Sequence, residues 1–280
     1  DGIDPHMAIK QLGLKVLKSP IYLEFIMLPN LFRSKKIKKL NSASKNPELN
    51  KRILLSILER LKKKLLKLEP STESFWSNYT NNRNHYSNKD IEIKKNIIEE
   101  FFNFNKGKVL DIGCNTGEFL FLASKFNTEV HGIDVDENCI NYIQKKNNSE
   151  NISVSHVNIA NPTPSTGWNN SETLGYLKKN KNYFDTVIFF GIVHHLLITE
   201  RIPLEEIIQL LAKLTKKNLI FEFVAKNDEK FIDIASINLD LYESFTKDTF
   251  ENEIKKSFKI IKIYTLDYNP NRYIYILEKI

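Results

Sequence analysis

The stretch that decides the fold is "VLDIGCNTGEF" (109–119). It begins as a short apolar run, passes through Gly113 and Gly117, and continues into a helical pattern over 118–126. Glycines in a strand-to-helix turn let the backbone approach a ligand closely, because a Cβ atom would obstruct that approach. The segment therefore predicts the first strand and helix of a nucleotide-binding sheet.

A carboxylate at the end of the next predicted strand, "EVHGIDV" (129–135), supports this interpretation. Asp134 follows Gly113 by 21 positions, where its side chain can accept hydrogen bonds from both hydroxyls of a ribose. The turn departs from the dinucleotide pattern G-x-G-x-x-G, and Asp111 and Glu118 flank it. These carboxylates would repel a pyrophosphate but suit a ligand that carries an ammonium and a sulfonium.

Strand and helix patterns then alternate, which favours a mostly parallel α/β sheet covered by helices on both faces. Later strand patterns are "ISVSHVNI" (152–159), "FDTVIFFG" (184–191) and "NLIFEFV" (218–224). The end of the chain differs, because "FKIIKIYTLDY" (258–268) and "RYIYILEKI" (272–280) flank "NPN". This predicts an antiparallel hairpin at the sheet edge with Pro270 in its turn.

Three motifs, "VLDIGCNTGEF", "GIDVD" (132–136) and "FDTVIFFGIVHHL" (184–196), resemble the successive motifs of class I S-adenosylmethionine (SAM)-dependent methyltransferases. The resemblance covers about residues 90–280 and implies a doubly wound, Rossmann-like sheet of seven strands with the last one antiparallel. It also implies SAM as the cofactor. The cofactor-binding residues that it implies are Asp111, Gly113, Asn115, Gly117, Asp134, Asn158 and Gly191.

Within that set, the resemblance assigns the methionine portion of SAM to Asp111 and the two turn glycines, the ribose to Asp134, and the adenine amine to Asn158. Many relatives carry glycine where this chain has Asn115, but asparagine also tolerates unusual backbone angles. A turn-forming role is the alternative for Asn158. The stretch "NPTPSTGWNNSE" (161–172) further resembles the nodulation protein NoeA-like group of methyltransferases.

Two segments are candidates for binding the methyl acceptor. The first is the insert 161–183, with Trp168 and Asn169, which is long for a connection between strands and could equally be structural padding. The second is "FWSNYTNNRNHY" (75–86), which closes over the cofactor or instead pins the N-terminal helices. Its aromatic candidates are Trp76, Tyr79 and Tyr86.

Three residues are candidates for catalysis. His194 and His195 follow the fourth predicted strand, where a histidine can act as general base or simply pack beside the cofactor. Neighbouring side chains diverge and no third ligand is evident in the sequence, so a metal site is not predicted. Glu222 lies within an apolar strand, which indicates a place near the active site, a buried pairing with Lys or Arg, or a frayed strand end.

The rest of the chain suggests an appended region. Residues 1–6 read as an expression-tag remnant, 7–89 as a helical extension or lid that includes a helix over 49–67, and 90–280 as the methyltransferase domain. With 41 basic and 34 acidic residues the net charge is +7. The basic surplus before residue 70 indicates a solvated face or a surface for nucleic acid, lipid head groups or an acidic polymer.

The same composition indicates a cytoplasmic protein. Cys114 and Cys139 lie in core-like segments and do not predict a disulfide, and no stretch reads as a transmembrane helix. We expect methyl transfer from SAM to an O or N atom of a small molecule or glycan. The alternatives are an RNA or protein methyltransferase and a non-catalytic SAM-binding protein.

Overall fold

The computed structural model describes residues 47–65 and 88–280. Helix α1 (Pro47–Leu65) belongs to one compact unit, and residues 88–280 belong to a second. The helix predicted over 49–67 is confirmed, two residues earlier in the chain. The expectations for 1–46 and 66–87 lie outside the described residues.

The second unit alternates helices and strands, as the sequence predicts. Its elements in chain order are α2 (Asn88–Phe104), β1 (Lys108–Ile112), α3 (Glu118–Ser124), β2 (Glu129–Asp134), α4 (Glu137–Lys146), β3 (Ile152–His156), α5 (Tyr176–Lys179), β4 (Phe184–Phe189), α6 (Leu204–Leu214), β5 (Thr215–Val224), α7 (Glu229–Ala235), α8 (Lys247–Ile254), β6 (Phe258–Leu266) and β7 (Asn269–Lys279). Single helical turns lie at Trp168–Asn170 and His195–Thr199, and a kinked 3₁₀ segment lies at Ser236–Tyr242.

The strands form one sheet of seven in the order β3-β2-β1-β4-β5-β7-β6. Strands β1 to β5 pair in parallel, whereas β7 runs antiparallel to both β5 and β6. This confirms the doubly wound, mostly parallel sheet with an antiparallel terminal hairpin. The strand order reverses between β1 and β4, and ligands of open α/β sheets bind beyond the carboxyl ends at such a point.

Both faces of the sheet are buried, which explains the nearly continuous apolar strand sequences. Alternate residues of a strand point to opposite faces. Leu110, Ile112 and Phe189 enter the cluster on one face, and Val109 and Ile188 enter the cluster on the other. The layers fix the strand ends in place, so the residues beyond β1, β2 and β4 project from a rigid support.

The prediction for Pro270 was wrong. Chain reversal occurs at residues 267–268, and Pro270 is the second residue of β7. Leu266 pairs with Asn269 and Thr265 with Tyr273, so residues 270–272 form a bulge with no partner on β6. The missing proline N–H therefore removes no hydrogen bond from that ladder.

Four buried charges join α2 to the carboxyl end of β5. Lys94 Nζ donates to Glu222 Oε1 at 2.8 Å, and Arg272 Nη1 lies 3.5 Å from the same oxygen. Arg272 also donates to both carboxylate oxygens of Asp228, at 2.7 and 2.8 Å. All four side chains are buried. Two cations and two anions balance, and each depends on its partners because an unpaired buried charge is very unfavourable.

We expect the Glu222→Gln substitution to lower the free energy of unfolding by about 3 kcal/mol, since it leaves two buried cations with one anion. Urea unfolding followed by circular dichroism measures the change. Glu100→Gln is the matched control on α2, because Glu100 forms a 2.9 Å ion pair with Lys262 in which both side chains are exposed. That pair should contribute less than about 1 kcal/mol. Equal effects of the two substitutions would contradict a stabilising role for the buried network.

Candidate functional site

The turn after β1 has the strained backbone that its sequence predicts. Gly113, Asn115 and Gly117 have φ values of 70°, 46° and 86°, all in the left-handed region. A Cβ atom on Gly113 would lie 2.5 Å from Ile192 Cδ1, and one on Gly117 would lie 2.9 Å from the Phe121 ring. The left-handed φ values favour glycine at both positions, and a Cβ atom there would also have to displace the side chain of Ile192 or Phe121.

Asp134 holds this turn through its carboxylate. Oδ2 accepts a hydrogen bond from the Asn115 amide at 2.8 Å, and Oδ1 accepts one from the Asp136 amide at 2.9 Å. Burial raises the pKa of Asp134, and these amide donors oppose that shift. Each carboxylate oxygen accepts from one amide and retains capacity for a second donor, so the side chain can still bind a pair of hydroxyls.

Asp111 lies on β1 beside this carboxylate and is only 3% exposed. Within the described residues, its Oδ2 atom is buried without a hydrogen-bond partner. Burial, with a smaller contribution from the charge of Asp134, raises the pKa of Asp111 to about 8. A buried, unsatisfied carboxylate at a strand end is a receptor for a cation, which would lower that pKa and satisfy the oxygen.

The two other predicted cofactor residues follow β4 and β3. Gly191, with φ 66°, follows β4 and precedes Ile192, whose side chain packs over Gly113. Strand β3 ends at His156, so Asn158 lies in the loop beyond it and not at the strand end. Asn158 Oδ1 accepts from the Ala160 amide at 2.9 Å, which is the turn-forming alternative. Its role toward adenine stays a prediction.

The two histidines lie on a wide helical turn after β4. His194 precedes a π-helical turn, His195–Thr199, in which the Glu200 amide donates to the His195 carbonyl. Their ring centroids are 4.4 Å apart. Burial, and then the neighbouring His195 and Arg272, lower the pKa of His194 well below its usual range. Burial, and then Lys230 and Arg272, lower the pKa of His195 to about 4.

Both rings are therefore neutral near pH 7, and each has a nitrogen that can accept a proton. His194 is 3% exposed, and its Nδ1 atom has no hydrogen-bond partner in the part of the chain that the structure describes. Residues 47–65 and 88–280 contain no group of three or more His, Cys, Asp or Glu side chains able to hold a metal ion.

The insert between β3 and β4 presents its aromatic candidate to solvent. Thr166 and Thr173 form a short antiparallel bridge, and the single helical turn Trp168–Asn170 lies between them. Trp168 is 81% exposed, and Asn169 has a φ of 52°. The structure does not bury either candidate in a pocket. Trp76, Tyr79 and Tyr86 lie outside the described residues.

Glu222 lies on β5 in the buried network with Lys94 and Arg272, which is the paired alternative. A catalytic role for it stays a prediction. Sequence reasoning missed both partners, although a lysine among the apolar residues of α2 was a detectable signal.

Tyr176, at the start of α5, was also missed. Its hydroxyl is buried and lacks a partner among the described residues, and burial, followed by nearby Cys114, raises its pKa. Cys114 belongs to the glycine turn, so Tyr176 brings a phenolic group to that neighbourhood from within the insert. Its position at the first residue of a helix inside the insert was the available signal.

Comparison with known proteins points to one family. The family model described as a methyltransferase domain matches residues 110–218. Nodulation protein NoeA from Rhizobium meliloti (strain 1021) is 26% identical over 218 residues, which are 76% of this chain and 45% of the relative. The chain thus spans about half the length of the curated relative it matches.

Two solved structures are also similar to the chain. N-methyltransferase NodS from Bradyrhizobium japonicum WM9 is 12% identical with a TM-score of 0.47, over 69% of this chain and 98% of that one. Magnesium protoporphyrin IX methyltransferase (ChlM) from Synechocystis PCC 6803 is 17% identical with a TM-score of 0.45, over 69% of this chain and 86% of that one.

None of the helices in the described part of the chain has the length and apolar composition to cross a membrane.

The sequence matches agree with the sheet order, with the left-handed turn after β1 and with the carboxylates that end β1 and β2. Both sequence matches thus agree with the resemblance to class I SAM-dependent methyltransferases: residues 110–218 match the methyltransferase domain, and the chain is similar to NoeA over 218 residues.

Proposed function

We propose that the chain transfers the methyl group of SAM to an O or N atom of a small-molecule or glycan acceptor. The observation that carries this proposal is the buried, unpartnered carboxylate of Asp111 at the point where the strand order reverses. A cationic ligand stabilises the ionised carboxylate and satisfies that oxygen. The neighbouring hydroxyl-binding carboxylate of Asp134 suits the ribose of the same ligand.

The residues of the chain would divide the task of binding. Asp111 accepts from the ammonium group, Asp134 accepts from the ribose hydroxyls, and the glycine turn admits the backbone of the ligand. Asn158 lies beyond β3, where an amide side chain is suited to adenine. SAM supplies a methyl group made electrophilic by its sulfonium, so the protein chiefly orients the acceptor and excludes water.

The histidines are suited to prepare the acceptor. An acceptor hydroxyl or ammonium must lose a proton before or during attack on the methyl carbon, and a neutral imidazole can take it. His194 and His195 are both held neutral by burial. Neither ring has to lose a proton first at pH 7, so both are ready to act as acceptors.

The side chains at the exposed tip of the insert suit a methyl acceptor that has both polar groups and an apolar face. Trp168 offers a large flat surface to solvent, and Asn169 and Asn170 offer amide donors and acceptors beside it. A sugar ring matches that combination, since its C–H face can pack on an indole while its hydroxyls bind amides. Trp76, Tyr79 and Tyr86 remain proposed acceptor residues on sequence grounds.

Calorimetric titration with SAM and with S-adenosylhomocysteine tests the cofactor assignment. We expect both ligands to bind, and Asp134→Ala to weaken both by at least about tenfold, through loss of charge-assisted hydrogen bonds. Asp185→Ala is the matched control, because Asp185 lies at the amino end of β4 and pairs with Lys217. Transfer of a labelled methyl group into a cell extract then identifies the acceptor class. A chain that binds neither ligand would refute the proposal.

The raised pKa of Asp111 predicts that SAM binding releases a proton. Below about pH 8 the ligand-free carboxyl holds its proton, and binding an ammonium requires the carboxylate. We therefore expect SAM affinity to rise by about tenfold per pH unit between pH 6 and 7. Calorimetry in phosphate and in Tris should report the released proton. Asp111→Asn should abolish both effects, and a proton release that survives the substitution would assign it elsewhere.

The lowered pKa of His195 predicts that it does not titrate in the physiological range. Because its pKa is about 4, we expect the ring to stay neutral as the pH falls from 8 to 5 and to gain a proton only below that. Long-range proton–nitrogen NMR of the imidazole nitrogens measures this directly. Protonation of His195 near pH 6.5 would contradict its burial.

A further inference from the structure

Helix α1 exposes apolar side chains along one side. Leu55, Ile57 and Leu58 are 49%, 40% and 50% exposed, and Leu61 is half-buried. Residues three and four apart are neighbours on a helix surface, so Leu55, Leu58 and Leu61 form one row and Ile57 lies next to Leu61. These four side chains are called the leucine row below.

The same helix is strongly basic. Its sequence has six basic and two acidic residues, 6 − 2 = +4: Lys51, Arg52, Arg60, Lys62, Lys63 and Lys64 against Glu48 and Glu59. Lys51 lies four residues before Leu55, and Lys62 lies four residues after Leu58. The leucine row is therefore bracketed at both ends by exposed ammonium groups on its own side of the helix.

We infer that α1 binds the surface of an anionic phospholipid bilayer, with its axis in the plane of the membrane. The leucine row enters the boundary between head groups and acyl chains, and the lysines extend along it to reach the lipid phosphates. Six basic residues spread over 19 make a spanning orientation unfavourable. This association is additional to the proposed methyl transfer and does not depend on it.

Charge and apolarity together favour this partner over two others. The phosphates of a nucleic acid would bind the lysines, but they would leave the half-exposed leucines in contact with water. A second copy of the helix would cover the leucines, but it would bring two +4 charges together. An anionic bilayer satisfies both features, because its head groups attract the lysines and its interface accepts the leucines.

Co-sedimentation of the full 280-residue chain with vesicles tests the inference. We expect at least tenfold tighter binding to vesicles of phosphatidylcholine and phosphatidylglycerol at 3:1 than to phosphatidylcholine alone, and a loss of binding in 0.5 M salt. Leu55→Gln with Leu58→Gln should weaken binding at least tenfold, since glutamine keeps helix propensity but removes the apolar row. Lys62→Glu with Lys63→Glu should do the same.

A matched control carries the same change of charge outside α1. Lys106→Glu with Lys125→Glu alters two exposed lysines of the second unit, and its binding to anionic vesicles should stay within twofold. Far-UV circular dichroism and titration with S-adenosylhomocysteine verify that all variants remain folded. Equal binding to neutral vesicles, an unchanged affinity of the glutamine variant, or an equal loss in the control would overturn the inference. The inference would also be overturned if the chain failed to bind vesicles and instead was retained on RNA or self-associated through α1.

Discussion

Two carboxylates buried side by side at neighbouring strand ends govern the geometry around them. Burial and mutual repulsion would make the ionised pair very unfavourable, so each must be compensated. Asp134 is compensated by amides of the glycine turn and of the entry to α4. Asn115, whose φ lies in the left-handed region, donates its amide to the Asp134 carboxylate. Among the described residues, no hydrogen-bond donor contacts the buried Oδ2 atom of Asp111, so this oxygen can still bind a cation.

A second set of charges at the same edge of the sheet has the opposite character. Lys94, Glu222, Arg272 and Asp228 balance one another without a ligand and connect α2, β5, β7 and the start of α7. Lys94 also lies 5.4 Å above the ring of Phe190, the residue before Gly191. The balanced network thus supports the strand ends from one side, while the unbalanced carboxylate on β1 defines the place where a ligand is needed.

The difference between the carboxylate pair and the buried ion network explains which parts of the site could be predicted from the sequence. Two adjacent strands joined by one helix carry the glycine turn, Asp111 and Asp134. The helix sets their separation along the chain, so their pattern is recognisable within a short stretch of sequence. Glu222 was ambiguous because its partners lie 128 and 50 positions away, and no local pattern selects them. The same holds for Tyr176, which lies inside the insert and far along the chain from Cys114. The hairpin was predicted correctly, but a bulge in β7 placed Pro270 inside the strand.

The histidine pair is understood best through charge. A base that acts beside SAM works close to a sulfonium, and an imidazolium there would repel it. Burial first, and the cations Arg272 and Lys230 next, keep His195 neutral, and burial does the same for His194. Arg272, a member of the network that anchors β5 to β7, therefore also contributes to the lowered pKa of both histidines.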